Sequence, residues 1–472
     1  MKFYNTLTRS VEKFKPIKDN EVRLYTCGPT VYDYMHVGNL RKFVFDDSLR
    51  RILEIKYSVR HAMNITDVGH LVSDADEGED KLEKGAKRED KSVWDTAQHY
   101  IDSFEKDVSQ MNIKLPNAGK KNGGYLRATD FIQEQIQIVQ ILLDKNFAYL
   151  SEQAIYFDTS KLESYGELTG QKLTDKEVGA RPDVVTDSSK RHPQDFAVWF
   201  FAVGRFANHE MKWVSPWGQG FPGWHLECSA IIHTVLGDPI DIHTGGVDNI
   251  GTHHVNEMAQ TEAAFGHKLA NYWLHSEHLH VDGGRMAKSA GNFYTLSDVI
   301  KKGYEPLALR LLFLQSHYRS QMNFTWEALD GAQAFLKRLQ AWSDLRFQSR
   351  LGHKKSAGSH YGQALSQMEQ SLADDLNTSQ SLAVLSKLVA QAETDGIDTQ
   401  MIQPVLDRLD ELLGLDLSNR ENISIEQREL IEQREKARAS KDWVKSDQLR
   451  AQLASGGIEI NDTPHGSVWS RL

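Results

Sequence analysis

The strongest constraint on the fold is the order of elements near the start of the chain. Residues 22–27 (VRLYTC) and 59–65 (VRHAMNI) are short apolar runs of buried-strand type. Between them Leu40, Phe43, Val44, Leu49, Ile52 and Leu53 recur at helical spacing over 39–53. A strand, a Gly28-Pro29-Thr30 turn, a helix and a second strand predict a parallel sheet of Rossmann type, which takes its ligands at the carboxyl ends of its strands. Sheet pattern resumes at 238–243 (DPIDIH), and a helix is predicted over 253–264. Within the intervening stretch, Ile132, Ile136, Val139 and Leu143 form one stripe and predict a helix in 128–147, while 154–200 reads as irregular with strand-like pieces. Residues 118–215 are therefore expected as an insertion into the sheet domain. The dense charge of 73–91 predicts a solvated loop or mobile flap.

Beyond Leu307 the pattern turns to amphipathic helices and predicts a bundle, interrupted by an exposed loop at 352–362. The last stretch begins with a charged helix and ends in a Gly-rich turn. The expected fold is α/β. A Rossmann-type catalytic domain spans 1–117 and 216–267 and carries the insertion 118–215; a loop-bearing region (268–310), a helical bundle (311–420) and a small C-terminal unit (421–472) follow. The first residues lack a signal-peptide apolar stretch and no run of about eighteen apolar residues occurs, so a cytoplasmic protein with no membrane partner is expected. A net charge of −10 excludes a protein that coats nucleic acid by bulk positive charge, so any RNA site must be regional. Cys27 and Cys228 are the two cysteines, too few for a disulfide framework, which leaves buried thiols, reactive thiols or metal ligands.

Three segments carry chemistry. In 27–39 (CGPTVYDYMHVGN), His36-Val37-Gly38-Asn39 falls where a strand hands over to a helix, so free amides and a positive helix end can meet phosphate; Gly38 leaves room for a base or ribose. In 283–293 (GGRMAKSAGNF), Arg285 and Lys288 on a glycine-flanked loop can neutralise charge building on a departing pyrophosphate. In 215–230 and 245–260, Cys228, His253 and Glu257 join Cys27 as two thiolates, an imidazole and a carboxylate, a sound zinc set. His253 and Glu257 are four apart and share a helix face; His254, three before Glu257, also fits that geometry.

With these segments the chain resembles the cysteinyl-tRNA synthetases, which are class I aminoacyl-tRNA synthetases, over nearly its full length. The carriers are CGPTVYDYMHVGN, NITD (64–67), PGWHLECSA, DIHTGGVD, HHVNEMAQ, RMAKSAGNF, HYRSQMNFT (317–325) and DDLNT (374–378). The resemblance implies that Cys27, Cys228, His253 and Glu257 hold zinc, His254 ranking second, and that the thiolate of the substrate L-cysteine adds to it. It implies that Thr66, Trp224 and His243 surround the cysteine. ATP, with Mg2+, would meet His36, Gly38, Asn39, Asp248, Arg285, Lys288 and Ser289, with His36, Asn39 and Lys288 catalytic. Two departures stand out: the signature loop has Arg285 and Ala287 in place of a lysine and a serine, and His243-Thr244-Gly245-Gly246-Val247-Asp248 replaces a triple-glycine string.

Residues 434–450 hold six basic and three acidic side chains in a chain that is negative overall. Trp443, Asp447 and Arg450 are spaced to share one helix face that could stack on and read bases. The resemblance makes 421–472 an anticodon-binding unit for tRNA(Cys), with Arg438, Trp443, Asp447 and Arg450 in contact and Trp469 a further stacking candidate. A monomer is expected. Two rivals are a ligase that passes cysteine to an amino sugar, as mycothiol ligases do, and a catalytically dead RNA-binding paralogue. The long helical region opposes the first, and the intact nucleotide and metal positions oppose the second.

Overall fold

The computed structural model describes residues 1–69, 71–73, 77–170, 190–286, 291–348, 357–395, 401–463 and 466–471. They form two compact units, Met1–Lys301 with Tyr318–Phe324, and Lys302–His317 with Thr325–Leu472. No helix among the described residues is long and apolar enough to cross a membrane.

The first unit is built on a sheet of five parallel strands: β1 (Glu21–Thr26), β2 (Ser58–Ile65), β3 (Leu126–Arg127), β4 (Ile240–Gly246) and β5 (Ala270–Ser276), in the order β5-β4-β1-β2-β3. A parallel sheet is covered on both faces, which is why its central strands read as near-continuous apolar runs; Val22, Leu24, Tyr25, Val59, Ala62, Met63 and Ile65 are all buried. Helix α1 (Val37–Glu54) connects β1 to β2. Its buried face includes charged groups that are paired in place: Arg51 meets Asp47 at 2.6 Å, and Arg41 donates to the carbonyls of Glu277, His278 and Ser320. Helices α2 (Ile132–Asp144), α3 (Trp224–Ile231) and α4 (Val255–Phe265) share one core with the sheet through Val139, Leu142, Leu226, Ile231, Ala259 and Trp273. Strands β3 and β5 come from stretches expected as insertion and loop region. At two residues β3 is too short to carry a period, and the polar residues of β5 mask its pattern.

Described strands of the 118–215 stretch, with Gly218–Pro222 just beyond it, form an antiparallel sheet of Trp213–Ser215, Gly218–Pro222, Phe196–Phe201, Ala154–Phe157 and Ala148–Leu150, in that order; 171–189 lie outside the described residues. One face, with Ile155, Phe157, Phe196 and Trp199, completes the main core. The other packs Tyr156, Phe200, Phe206 and Phe221 into a cluster of its own.

The solvated loop expected at 73–91 is corrected by the structure over 77–91, with 74–76 outside the described residues. Lys81–Glu89 is a helix, capped by Asp80, whose Oδ1 accepts from the Glu83 amide at 2.8 Å. Leu82 and Ala86, one turn apart, are buried; the surrounding charges hide this contact in the sequence. Asp80 Oδ2 meets His209 Nε2 at 2.9 Å, and His209 Nδ1 meets the Met211 carbonyl at 2.8 Å while its ring stacks on Phe221 at 4.0 Å. Glu83 accepts a further bond from the Glu210 amide. Both ring nitrogens of His209 face acceptors, which favours the imidazolium over the neutral ring.

The second unit packs the helices Pro306–Leu314, Trp326–Asp344, Ala357–Leu372, Thr378–Asp395 and Ile402–Leu413 around Leu309, Leu336, Leu339, Leu385, Leu406 and Leu409. Residues 357–362, expected in an exposed loop, open one of these helices; 349–356 lie outside the described residues. The chain continues through Ile425–Ala439, Trp443–Ser455 and a hairpin of Ile458–Thr463 with Gly466–Arg471. Ile423, Leu453, Ile458, Ile460 and Trp469 form its core.

Candidate active site

Three distant segments converge at the carboxyl ends of β1 and β4. Cys27 directly follows β1, its amide donating to the Thr244 carbonyl of β4 at 3.1 Å. Cys228 stands on α3. His253 lies in a π-helical turn, Ile250–His254, that leads into α4, and Glu257 in the first turn of α4 itself. Such turns widen a helix by a residue and recur at functional sites. One donor atom from each of Cys27, Cys228, His253 and Glu257 lies within 4.8 Å of all the others, and all four residues are buried. A second set, Cys27, His243, His254 and Glu257, meets the same limit and shares the thiol and the carboxylate.

The polar contacts separate the two histidines. His253 Nε2 stands 2.6 Å from Glu257 Oε1 and 3.5 Å from Cys228 Sγ, and its Nδ1 faces His225 at 3.1 Å. His254 Nε2 stands 3.3 Å from Cys27 Sγ, but its Nδ1 belongs to a chain that runs to His275 at 2.7 Å and on to the Thr6 hydroxyl at 2.8 Å. Glu257 Oε2 pairs with His243 at 2.6 Å, whereas Oε1, fully buried, has no hydrogen bond despite its close approach to His253. A buried carboxylate oxygen without a hydrogen bond is costly. With two thiols and an imidazole aimed at the same point, a divalent cation that favours sulfur and nitrogen fits these donors.

Burial pushes the Glu257 carboxyl up, but His243 and His253 hold it down at about 2. Burial pushes the His253 ring down, and Glu257 outweighs it and lifts it to about 10. The Cys27 thiol, raised by burial, is brought to about 5 by hydrogen bonding with Cys228 and His253 and by the His243 charge; burial sends the Cys228 thiol well above its ordinary value. Metal binding takes thiolate and neutral imidazole, so an ion entering this site would displace the protons that these thiols and the His253 ring carry.

Cys27 also lines an open cavity of about 430 Å3 whose far wall is the start of α1. His36 is the N-cap: its Nδ1 accepts from the Asn39 amide at 3.1 Å, and the Asn39 side chain accepts from the His36 amide at 3.2 Å. Burial holds the His36 ring below its ordinary value. A neutral ring whose Nδ1 accepts carries its proton on Nε2, where it can be donated. A Cβ on Gly38 would stand 3.0 Å from the His36 ring, so this glycine makes room for the imidazole rather than only for a ligand. The Val37 amide donates to the Tyr294 carbonyl at 2.9 Å and Phe293 sets its ring edge-on to His36, which joins the two signature segments. Asp248 and Asn249 line the same cavity. Arg285 ends a short strand, and Lys288 and Ser289 lie outside the described residues.

Of the residues expected around a bound amino acid, Trp224 lines the cavity and packs on His253 at 4.4 Å. Thr66 is buried and donates to Glu227 at 2.7 Å, and His243 sits on the Glu257 side, stacked on Trp273.

A family model described as tRNA synthetases class I (C) catalytic domain matches residues 13–334. The cysteine–tRNA ligase 1 of Burkholderia lata is 41% identical over 98% of this chain and 95% of its own length. The cysteine–tRNA ligase of Treponema denticola is 38% identical over the whole of both. The chain belongs to the cysteine–tRNA ligase family. It is an enzyme of the aminoacyl-tRNA synthetase class. The fold is shared with solved structures of low identity: methionyl-tRNA synthetase of Mycobacterium tuberculosis with methionyl-adenylate (TM-score 0.61, 13% identity, 85% of this chain and 93% of that one) and the LeuRS–tRNA–LeuAMS complex of Agrobacterium radiobacter (TM-score 0.59, 11% identity, 87% and 86%).

In this ligase the C-terminal candidates divide. Trp443 is 56% exposed on its helix, and Asp447 and Arg450 are exposed with it. Arg438 pairs with Asp462 at 2.7 Å, its guanidinium 5.9 Å from the Trp443 ring. Trp469 is 6% exposed in the small core and is not a stacking surface. Arg434, counted among the basic residues, is buried and clamped by Asp462 at 2.9 and 2.8 Å. Sequence reasoning missed Lys42, Glu227 and His275. Glu227 precedes Cys228 inside an apolar helix and Lys42 interrupts the apolar stripe of α1; a charge at such a position was the available signal.

Proposed function

We propose that the chain activates L-cysteine with ATP and transfers it to the 3′ end of tRNA(Cys). The cysteine carboxylate attacks the α-phosphate, and pyrophosphate departs with the bonding electrons. The terminal ribose hydroxyl then takes the acyl group as AMP leaves and the hydroxyl proton is released. The convergence of Cys27, Cys228, His253 and Glu257 within 4.8 Å, beside a cavity that ends at a capped helix, carries this reading.

These four residues would hold zinc, which supplies a soft Lewis acid suited to sulfur and poorly suited to a hydroxyl. Trp224, Thr66 and His243 would enclose the amino acid. His36 donates from Nε2 to the phosphates, Asn39 fixes that ring and the α1 amides face the same charge. Asp248 and Gly38 would border the adenosine, while Arg285, Lys288 and Ser289, with Mg2+, would take the pyrophosphate. Residues 421–472 would read the anticodon through Arg438, Trp443, Asp447 and Arg450. The remaining divisions, a sheet domain at 1–117 and 216–267, an insertion at 118–215, a signature-loop region at 268–310 and a bundle at 311–420, belong to the same proposal, as do a monomeric state and a cytoplasmic location.

The test is metal analysis of the purified protein with an ATP–pyrophosphate exchange assay. A hydrophobic pocket alone separates near-isosteres by about 10- to 200-fold. We expect bound zinc and a preference for cysteine over serine well beyond that range. Comparable exchange with serine would refute the reading.

A further inference from the structure

Among the described side chains that line the cavity, Lys42 is the one lysine or arginine, against Asp33, Asp248 and Glu277. On formal charge this lining is negative, yet both molecules proposed to react there are anionic at their reacting ends. Lys42 stands on α1, its side chain 13% exposed. Its ammonium donates to the main-chain carbonyl of Cys27 and lies 2.7 Å from Asp46 Oδ2. Asp46 is fixed in turn by the Thr244 hydroxyl of β4 at 2.7 Å, and the Phe43 ring lies 5.1 Å from Nζ. Lys42 is thus held by β1, α1 and β4 together. An ammonium has three donors, so the contacts with Cys27 and Asp46 leave at least one for a ligand.

From this geometry we infer that Lys42 binds the carboxylate of the substrate amino acid and so selects an α-amino acid over a simple thiol. The inference rests on the proposed function. A cysteine whose sulfur meets the Cys27 donor end places its carboxylate three covalent bonds away, and the cation attached to the Cys27 backbone is the group within the lining that answers that charge. Held there, the carboxylate lies between the metal donors and the His36 end of α1, where the α-phosphate is expected.

The experiment compares cysteine with cysteamine, which keeps the thiol and amine but lacks the carboxylate. Cysteine affinity comes from the exchange assay and cysteamine affinity from its inhibition of that assay, for the full-length protein and for Lys42→Met and Lys42→Arg. A charge-assisted hydrogen bond is worth about 10- to 100-fold in affinity. We expect Lys42→Met to weaken cysteine by about that factor, leave cysteamine and zinc content unchanged, and be partly rescued by Lys42→Arg. Equal weakening of cysteine and cysteamine, or of neither, overturns the inference while leaving the proposed function standing; failure of the unsubstituted protein to exchange with cysteine overturns the proposed function itself. If Lys42→Met strands the buried Asp46 and unfolds the chain, the double variant Lys42→Met/Asp46→Asn removes both charges and carries the same comparison.

Discussion

Replacing His209 with alanine probes how the 77–89 segment is attached. The substitution removes the bond to Asp80 (2.9 Å), the bond to the Met211 carbonyl (2.8 Å) and the stack on Phe221 (4.0 Å). Both members of the ion pair are 3% exposed in their side chains, so Asp80 would be left as a buried charge whose remaining described partner is the Glu83 amide. Breaking such a pair from one side costs about 3–5 kcal/mol, and the lost ring stack about 0.5–1.5 kcal/mol. The stranded carboxylate is therefore the larger effect, and Asp80→Asn in the same chain should recover most of the loss. Because the contact is local, the cost should appear as opening of the Lys81–Glu89 helix. Amide exchange there should speed by on the order of 100- to 4,000-fold, with the strands of the parallel sheet unaffected. Burial lowers the His209 pKa, but the Asp80 bond and charge, with Glu83, raise it above its ordinary 6.5. A raised folded value means that the stabilisation is complete below pH 6.5 and fades as pH climbs through the folded value. Exchange in this helix should hence be slower at pH 6 than at pH 8.5 after correction for intrinsic rates, and His209→Ala should abolish the difference. Unchanged protection of Lys81–Glu89 in the variant, or an equal pH effect with and without His209, would refute this account.

Two tryptophans of the C-terminal region should respond in opposite ways. Trp443→Ala should weaken tRNA binding by about 1–3 kcal/mol, the worth of one stacked base, with no change in melting, whereas Trp469→Ala should destabilise the region by about 3–5 kcal/mol; filter binding and thermal denaturation read the two. Gly38→Ala would drive a methyl against the His36 ring at 3.0 Å and disturb the Asn39 cap. It should lower the exchange rate by up to about 100-fold at a stability cost of about 1 kcal/mol, and an unchanged rate would show that the ring position is not critical.

The parts of the fold legible in the sequence are those written by local pattern. The strands around residues 22 and 59 and the α1 stripe could be placed because fully buried strands and one-sided helices have distinct spacings. The metal donors were legible as residue types, and the spacing of His253 and Glu257 suggested one helix face. The π-helical turn ending at His254 was not visible, and it turns both His253 and His254 toward the site, so sequence geometry alone left the choice between them open. The Lys81–Glu89 helix escaped because two apolar residues among many charges make no periodic signal; what fixes it is the distant His209. The two tryptophans differ for a similar reason. Trp469 is buried by its pairing opposite Ile460 across the hairpin, a relation between strands that neither strand displays by itself.

The scattered origin of the four candidate metal donors has a consequence for biosynthesis. Cys27 follows the first strand of the sheet, whereas His253 and Glu257 belong to the segment that opens α4, with the whole antiparallel sheet made between them. A ribosome that has produced only β1, α1 and β2 has made one of the four candidate donors and no cage that could capture an ion. Any metal loading must therefore wait until α4 emerges, when β1 to β4 have been made and β5 is still to come.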